Sequence, residues 1–186
     1  MELVSGVDLH FITSKKFKTN RIKMRFSAPM STDTIAGRVL VASMLETANE
    51  AYPTSQIFRE RLATLYGANF STGLSRRGLI HYVDLNISFV SDAFLSRKNT
   101  LTGEILDFLK DSLLKPLANE GAFNQAVFEI EKKNVLNDLK AEIEDHFYHA
   151  HQELNKLFYT EKEMQTPRLA TPDLVDKETP ESSFAI

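Results

Sequence analysis

Residues 79–90, LIHYVDLNISFV, carry the most regular pattern in the chain. Successive side chains of a β-strand point to opposite sides of the sheet, so a period of two predicts a strand with one buried face. One face of this segment carries polar side chains, and we interpret His81, which falls on the other face, as a core or sheet-rim histidine. The residues that share the apolar face are His81, Val83, Leu85, Ile87 and Phe89.

Three other segments indicate strands that would pair with this one or with each other. Residues 69–75 precede it as a short strand, and residues 7–12 and 22–26 also alternate with a period of two. The polar residues 13–21 between the last two segments predict a hairpin. Because the strands come in adjacent pairs along the chain, we expect antiparallel pairing.

Four helical stretches complete the predicted elements. Capping residue types at 31–33 precede the first, and the second begins near Thr54 and ends at Gly67. The third covers about 100–115 and stops before a proline, and the fourth runs from about 123 to 159. The apolar stripe of the fourth is Val135, Leu139, Ile143, Phe147, Ala150, Leu154 and Leu157. We therefore expect an α+β fold, a mostly antiparallel mixed sheet with helices packed on one face.

Composition places the chain among globular proteins. Its 186 residues are 42% hydrophobic and 25% charged, with a net charge of -3 and no cysteine, which excludes disulfides and thiolate zinc sites. We find no signal peptide or bilayer-spanning run, and we expect a cytoplasmic protein. Residues 1–186 should form one α+β domain, the N-terminal part of a longer protein, in which 166–186 is a polar tail containing prolines.

A series of short segments resembles the pitrilysin/insulinase family of zinc peptidases, also called inverted zincins. The first helix carries SMLET at 43–47, where that family carries His-x-x-Glu-His. The similarity covers most of residues 5–180 and rests on the order and spacing of the segments. The others are YPT at 52–54, YGANF at 66–70, SRR at 75–77, IHY at 80–82, LLKPL at 113–117, EKKNVL at 131–136 and LNKLFY at 154–159.

The resemblance implies a degenerate, non-catalytic bacterial branch of that family. Ser43 and Thr47 replace the two zinc-binding histidines, and a hydroxyl is a poor zinc ligand. Glu46 stands at the position of the catalytic base, and Asp138 aligns with the third zinc ligand. We therefore expect no catalytic residue and no zinc. The alternative for Glu46 is a solvated helix residue without a role.

Such family members pair with an active peptidase subunit and help to enclose a substrate chamber, which implies a heterodimer acting in proteolysis. Peptide binding could persist after loss of the metal site, because an edge strand binds an extended peptide through its backbone. The alternative is that another domain covers this edge. The corresponding strand residues are Asn69, Phe70, Ser71, Thr72, Gly73, Leu74, Ser75 and Arg76.

Two other functions stay open at this point. An active zinc metallopeptidase would need ligands from elsewhere, and His146 and His149, spaced for one helix face beside His151, are weak candidates for adventitious metal. Nucleic-acid binding would use a basic 15–25 hairpin, although few aromatic residues are interleaved for stacking on bases. Its cations are Lys15, Lys16, Lys18, Arg21, Lys23 and Arg25.

Overall fold

The computed structural model describes residues 1–96 and 100–186. Its strands are β1 (Glu2–Val4), β2 (Val7–Asp8), β3 (Thr19–Pro29), β4 (Asn69–Arg77), β5 (Ile80–Val90), β6 (Ala118–Asn119) and β7 (Ala122–Phe123). Its helices are α1 (Ile35–Thr47), α2 (Ser55–Thr64), α3 (Leu101–Leu114), α4 (Gln125–Glu144), α5 (His146–Phe158), α6 (Lys162–Gln165), α7 (Pro172–Lys177) and α8 (Pro180–Phe184). These elements confirm the α+β class, with an antiparallel main sheet and helices against one face.

The main sheet has three antiparallel strands in the order β3-β5-β4. The predicted strand at 79–90 is its centre, and His81, Leu85, Ile87 and Phe89 are buried on the face toward the helices. The neighbouring strands run in continuous register along β5. Because paired residues share a face, the even-numbered residues of β4 lie on the helix side with these four.

The predicted hairpin between residues 7–12 and 22–26 is wrong. Val7 and Asp8 pair with β1, while β3 pairs with β5, its neighbour across more than fifty residues of chain. In this register Ile22 stands opposite Ile87, which places apolar side chains together on the face that the helices cover. Burial of apolar surface against a distant strand therefore outweighs the local closure that a hairpin would offer.

Local sequence signals set α2 and α3 as predicted, whereas the capping types at 31–33 do not cap α1, whose N-cap is Thr34 without a side-chain cap bond. The Thr54 side chain caps α2 by accepting a hydrogen bond from the Ile57 N–H at 3.2 Å. Gly67 follows this helix with a φ of +68°, a left-handed conformation that glycine adopts without a steric penalty. The third helix ends at Leu114, two residues before Pro116.

The fourth stretch is not the single helix predicted over 123–159. The backbone breaks at Asp145, whose carboxylate accepts hydrogen bonds from the N–H groups of Phe147 and Tyr148 and so starts α5 as a separate helix. The stripe predicted for one long helix is consequently divided. Val135 and Leu139 of α4 are buried, whereas Phe147 is 91% exposed and Leu157 is 87% exposed.

Residues 166–186 are not a loose polar tail. They form α7 and α8 and pack onto α1 and α4, where Ala170 and Val175 are buried. The Phe184 ring meets the Phe123 ring edge to face, with centroids 5.4 Å apart. The tip of the Ile186 side chain packs directly on Gly37 of α1, in the space that a Cβ would enter. Proline at the start of each short helix explains why the polar sequence still forms helices.

Two apolar clusters form the core. One lies between the sheet, α2 and α3 and is centred on the tilted and edge-on rings of Phe58, Phe70 and Phe108. The other lies between α1, α4 and the C-terminal helices. Since α1 belongs to the second cluster and contacts β4, it holds the degenerate motif between the sheet edge and α4.

Candidate functional site

The residues predicted from the family motif meet in one cavity of about 720 Å³. Spacings of three and four residues put Ser43, Glu46 and Thr47 on one face of α1. This face is turned toward α4, where Asp138 and Glu131 line the same cavity. The structure thus brings together all four motif positions named from the sequence. The assignment of Asp138, an exposed side chain, to the third zinc-ligand position stays a prediction.

Ser43 is engaged by a carboxylate on the opposite helix. Its Oγ donates a hydrogen bond of 2.9 Å to Oε2 of Glu131, which is only 8% exposed. Glu131 lies on the buried stripe of α4, one turn before Val135. A carboxylate buried without a donor is costly, so this hydroxyl offsets part of the cost of placing Glu131 beside the core.

Glu46 connects α1 to the sheet edge. Its Oε2 accepts hydrogen bonds from the Thr72 backbone N–H at 2.9 Å and from the Thr72 hydroxyl at 2.8 Å. The side chain is half-buried. The interpretation of Glu46 as a solvated helix residue without a role is therefore wrong, because both donors come from β4.

The groups at the two histidine positions do not fit a zinc ion. One hydroxyl, that of Ser43, donates to Glu131, and the other, that of Thr47, donates to the Ser43 carbonyl at 3.1 Å. Structural and catalytic zinc sites take imidazole, thiolate or carboxylate ligands. Among residues 1–96 and 100–186, no group of three or more histidine or acidic side chains is placed to hold a metal.

The histidines of α5 do not complete the motif cavity. His146, His149 and His151 are exposed, and the cavity beside Ser43 is lined by residues of other elements. His151 Nδ1 lies 3.2 Å from the Asn155 side-chain nitrogen, which is a contact within α5. These positions leave the histidines apart from Glu46, the only residue retained from the catalytic motif.

A second cavity of about 430 Å³ lies where α4, α5 and residues 162–172 meet. Tyr148 and Glu142 line it, together with His149. Burial, followed by interaction with the Glu142 carboxylate, raises the pKa of Tyr148 to about 12. The tyrosine therefore remains a neutral hydroxyl at physiological pH. The lining of this second cavity is mostly apolar, and the family motif contributes no residue to it.

The basic stretch at 15–25 does not form the hairpin that the nucleic-acid hypothesis required. Lys23 and Arg25 lie on the outer sheet face and pair with Asp84 at 2.9 Å and 2.6 Å. The hydrogen bond from Arg25, with further contributions from Lys23, lowers the pKa of Asp84. Arg21 donates to the Asn86 side chain at 2.8 Å. Half of the six cations are thus engaged by side chains of the neighbouring strand β5.

His81 is confirmed as a core residue, with 1% of its surface exposed. Its Nε2 lies 3.0 Å from the Arg168 carbonyl, so the ring joins β5 to the segment before α7. Burial lowers the pKa of His81, with nearby Arg38 and Arg76 acting in the same direction. A neutral ring that donates from Nε2 satisfies the Arg168 carbonyl.

Two residues of the site were missed as partners by the sequence analysis. Glu131 offered a signal, since it is a charged residue on the same helical stripe as Phe128 and Val135. No sequence signal marked Thr72, because its hydrogen bond to Glu46 depends on which helix side chain reaches the sheet edge in the folded chain. Both partners lie far along the chain from the motif residues that they contact.

None of the helices within the described ranges combines the length and apolarity needed to cross a membrane.

Comparisons with known proteins agree with this geometry. No family model matches the chain. The probable inactive metalloprotease YmfF of Bacillus subtilis (strain 168) is 24% identical over 140 residues, which cover 75% of this chain and 33% of that protein. The crystal structure of a conserved protein from Enterococcus faecalis V583 has a TM-score of 0.90 and 32% identity over 94% of this chain and 41% of that one.

The fold is also that of a peptidase domain. The peptidase M16 inactive domain from Pseudomonas fluorescens matches with a TM-score of 0.67 over 92% of this chain and 38% of that chain, and its 17% identity supports the fold alone. The chain thus spans well under half the length of these relatives. Together with the altered motif at 43–47, these findings support the resemblance: the chain is similar to inactive members of the pitrilysin/insulinase-type (M16) peptidases and lacks the two motif histidines.

Proposed function

We propose that this chain belongs to a non-catalytic subunit that pairs with an active peptidase of the same family. The observation that carries the proposal is the state of the motif. Ser43 is bonded to Glu131, and Glu46 is bonded to Thr72. Two of the side chains that stand where an active relative holds zinc or activates water, Ser43 and Glu46, thus join α1 to its neighbours, which is a structural role.

The relatives support the non-catalytic part of the proposal. The Bacillus subtilis protein is named a probable inactive metalloprotease, and the Pseudomonas fluorescens domain is named inactive. A subunit of this kind contributes walls to a substrate chamber while its partner supplies the metal. The exposed apolar side of α5, which carries Phe147 and Leu157, fits a subunit or domain interface. A cytoplasmic location and the absence of bound zinc are parts of the same proposal.

The first test measures zinc content and peptide cleavage on tag-free protein. After dialysis against a weak chelator, we expect less than about a tenth of an equivalent of zinc, because hydroxyls occupy both histidine positions. Cleavage of a fluorogenic peptide should be the same for the native chain and for Glu46→Gln. Retention of about one equivalent of zinc, with cleavage lost in Glu46→Gln, would contradict the proposal.

A gain-of-function variant provides the matched control. The double substitution Ser43→His and Thr47→His restores two imidazoles one turn apart, facing the carboxylates of Glu131 and Asp138. We expect this variant to retain about one equivalent of zinc under the same dialysis, because two histidines and a carboxylate form an ordinary zinc ligand set. Failure of the folded variant to bind zinc would mean that the cavity is not a degenerate metal site.

A further inference from the structure

The outer side of β4 is an edge of the main sheet among the described residues. Thr72 stands opposite Leu85 of β5, yet its N–H bonds to Glu46 and therefore points away from β5. In an antiparallel ladder the N–H and C=O of one residue point to the same side of the strand. Every second residue along the strand directs its N–H and C=O to that same side. The backbone groups of Phe70 and Leu74 thus point outward with those of Thr72. These are the groups that an added strand would pair with.

The Glu46 carboxylate occupies the centre of this outward row. Its Oε2 takes both the N–H and the hydroxyl of Thr72. A strand added along β4 would place a carbonyl oxygen where this carboxylate oxygen lies. Hydrogen bonds to a carboxylate are about twice as strong as bonds to a neutral carbonyl. When a peptide binds, the Thr72 N–H would therefore exchange a stronger acceptor, the Glu46 carboxylate, for a weaker one, the peptide carbonyl.

The position of Glu46 is held by its helix. Ala42 and Met44 of α1 are buried in contact with the core, so the backbone that carries Glu46 cannot retreat without disturbing that packing. Release of Thr72 requires a rotamer change of Glu46 alone. Glu46 lines the adjoining cavity of about 720 Å³, which provides space for such a change.

We infer that Glu46 is an autoinhibitory latch, which closes edge β4 to extended peptides by occupying the outward N–H of Thr72. The inference rests on the proposed function in one respect: the ligand of this edge is taken to be an extended peptide because the proposed subunit helps to enclose a chamber for peptide substrates. The residue that activates water in active relatives would here compete with substrate. Binding of a partner or peptide that turned Glu46 into the cavity would open the edge.

The test compares peptide binding by the native chain, Glu46→Gln and Glu46→Ala. The probe is a pool of fluorescein-labelled nine-residue peptides of randomised sequence, with blocked termini, followed by fluorescence anisotropy. We expect Glu46→Ala to bind about tenfold more tightly than the native chain, since the charged acceptor is gone. Glu46→Gln should fall between them, because its amide oxygen still accepts but carries no charge. Glu60→Ala, a change at an exposed glutamate of α2, is the matched control.

Amide hydrogen exchange at Thr72 provides an independent readout of the contact. We expect faster exchange at Thr72 in Glu46→Ala and unchanged exchange in Glu60→Ala. Equal peptide binding by the native chain and Glu46→Ala would overturn the latch, as would unchanged protection at Thr72. Absence of binding in every variant would also overturn it. None of these results would alter the zinc content or cleavage result, so the proposed function is tested separately.

Discussion

At the scale of single residues, the hydrogen bond from the Ser43 hydroxyl to the buried Glu131 carboxylate ties the motif segment of α1 to α4. Glu131 lies between apolar neighbours on α4, and Ser43 supplies a hydrogen bond from across the helix interface. A short hydroxyl fits there because it donates without adding the volume of a ring. The substitution that removes a zinc ligand thus also provides a donor for a charge that would otherwise be unsatisfied.

Removal of that hydroxyl should destabilise the fold. We expect Ser43→Ala to lower the free energy of unfolding by about 1–2 kcal/mol, because it leaves the Glu131 carboxylate without this donor. Urea denaturation followed by circular dichroism measures the change. Ser55→Ala, at an exposed serine beside the same cavity, should stay within about 0.5 kcal/mol of the native chain. Equal effects of the two changes would contradict a specific role for Ser43.

His81 should make stability depend on pH. Its pKa in the folded protein lies below the ordinary value of 6.5, so between these two values the unfolded chain binds a proton that the folded chain does not. Stability is therefore fully present above the unfolded pKa and falls as pH decreases through this window. We expect the loss between about pH 7.5 and pH 5.5 to be larger in the native chain than in His81→Gln. Identical losses of unfolding free energy for the native chain and His81→Gln in denaturant titrations would contradict the prediction.

Among the elements, α5 has an unusual orientation. The side of this helix toward the protein carries the partly covered Tyr148, Gln152 and Asn155, while its apolar residues face outward. A surface helix normally buries its apolar stripe. The break at Asp145 explains the difference, since α5 begins anew with its own cap and does not continue the buried stripe of α4.

Two leucines of the predicted stripe should therefore respond differently to the same change. Leu139→Ala removes a side chain that is 5% exposed, and we expect a loss of about 2–5 kcal/mol. Leu157→Ala changes an outward residue and should cost less than about 0.5 kcal/mol. Chemical denaturation of the two variants measures both values. A large loss for Leu157→Ala would mean that α5 packs through its apolar side.

At the scale of the whole molecule, the C-terminal helices are part of the core. They close the second apolar cluster over α1 and α4, next to the helix that carries the motif. Arg76 of β4 also donates to the Thr166 carbonyl at 2.7 Å, which fixes the start of this segment to the sheet. The motif cavity consequently depends on residues more than a hundred positions away.

A core substitution in this segment should affect the global transition. Val175 is fully buried, and we expect Val175→Ala to lower the free energy of unfolding by about 1.5–3 kcal/mol through lost burial and the space left behind. The exposed Val4→Ala provides the control and should change little. Thermal and urea unfolding give the comparison. A null effect of Val175→Ala on both would show that the segment is dispensable for folding.

Features encoded by local spacing could be predicted from the sequence. The alternation at 79–90 indicated the central strand, and Thr54 and Gly67 marked the limits of α2. The spacing within 43–47 placed Ser43, Glu46 and Thr47 on one helix face, and the resemblance to the peptidase family implied that Ser43 and Thr47 replace its zinc-binding histidines. These signals depend on neighbouring residues alone, and the backbone geometry of a helix or strand converts them directly into position.

Contacts between distant segments required the fold itself. The pairing of β3 with β5, the bond from Ser43 to Glu131 and the bond from Thr72 to Glu46 each join residues more than twenty positions apart. A single sequence does not specify which of many polar or apolar partners will meet, because that choice follows from the packing of all the elements together. The replaced ligands were therefore visible in the sequence, whereas the structural bonds that now engage those residues became visible only after the chain was folded.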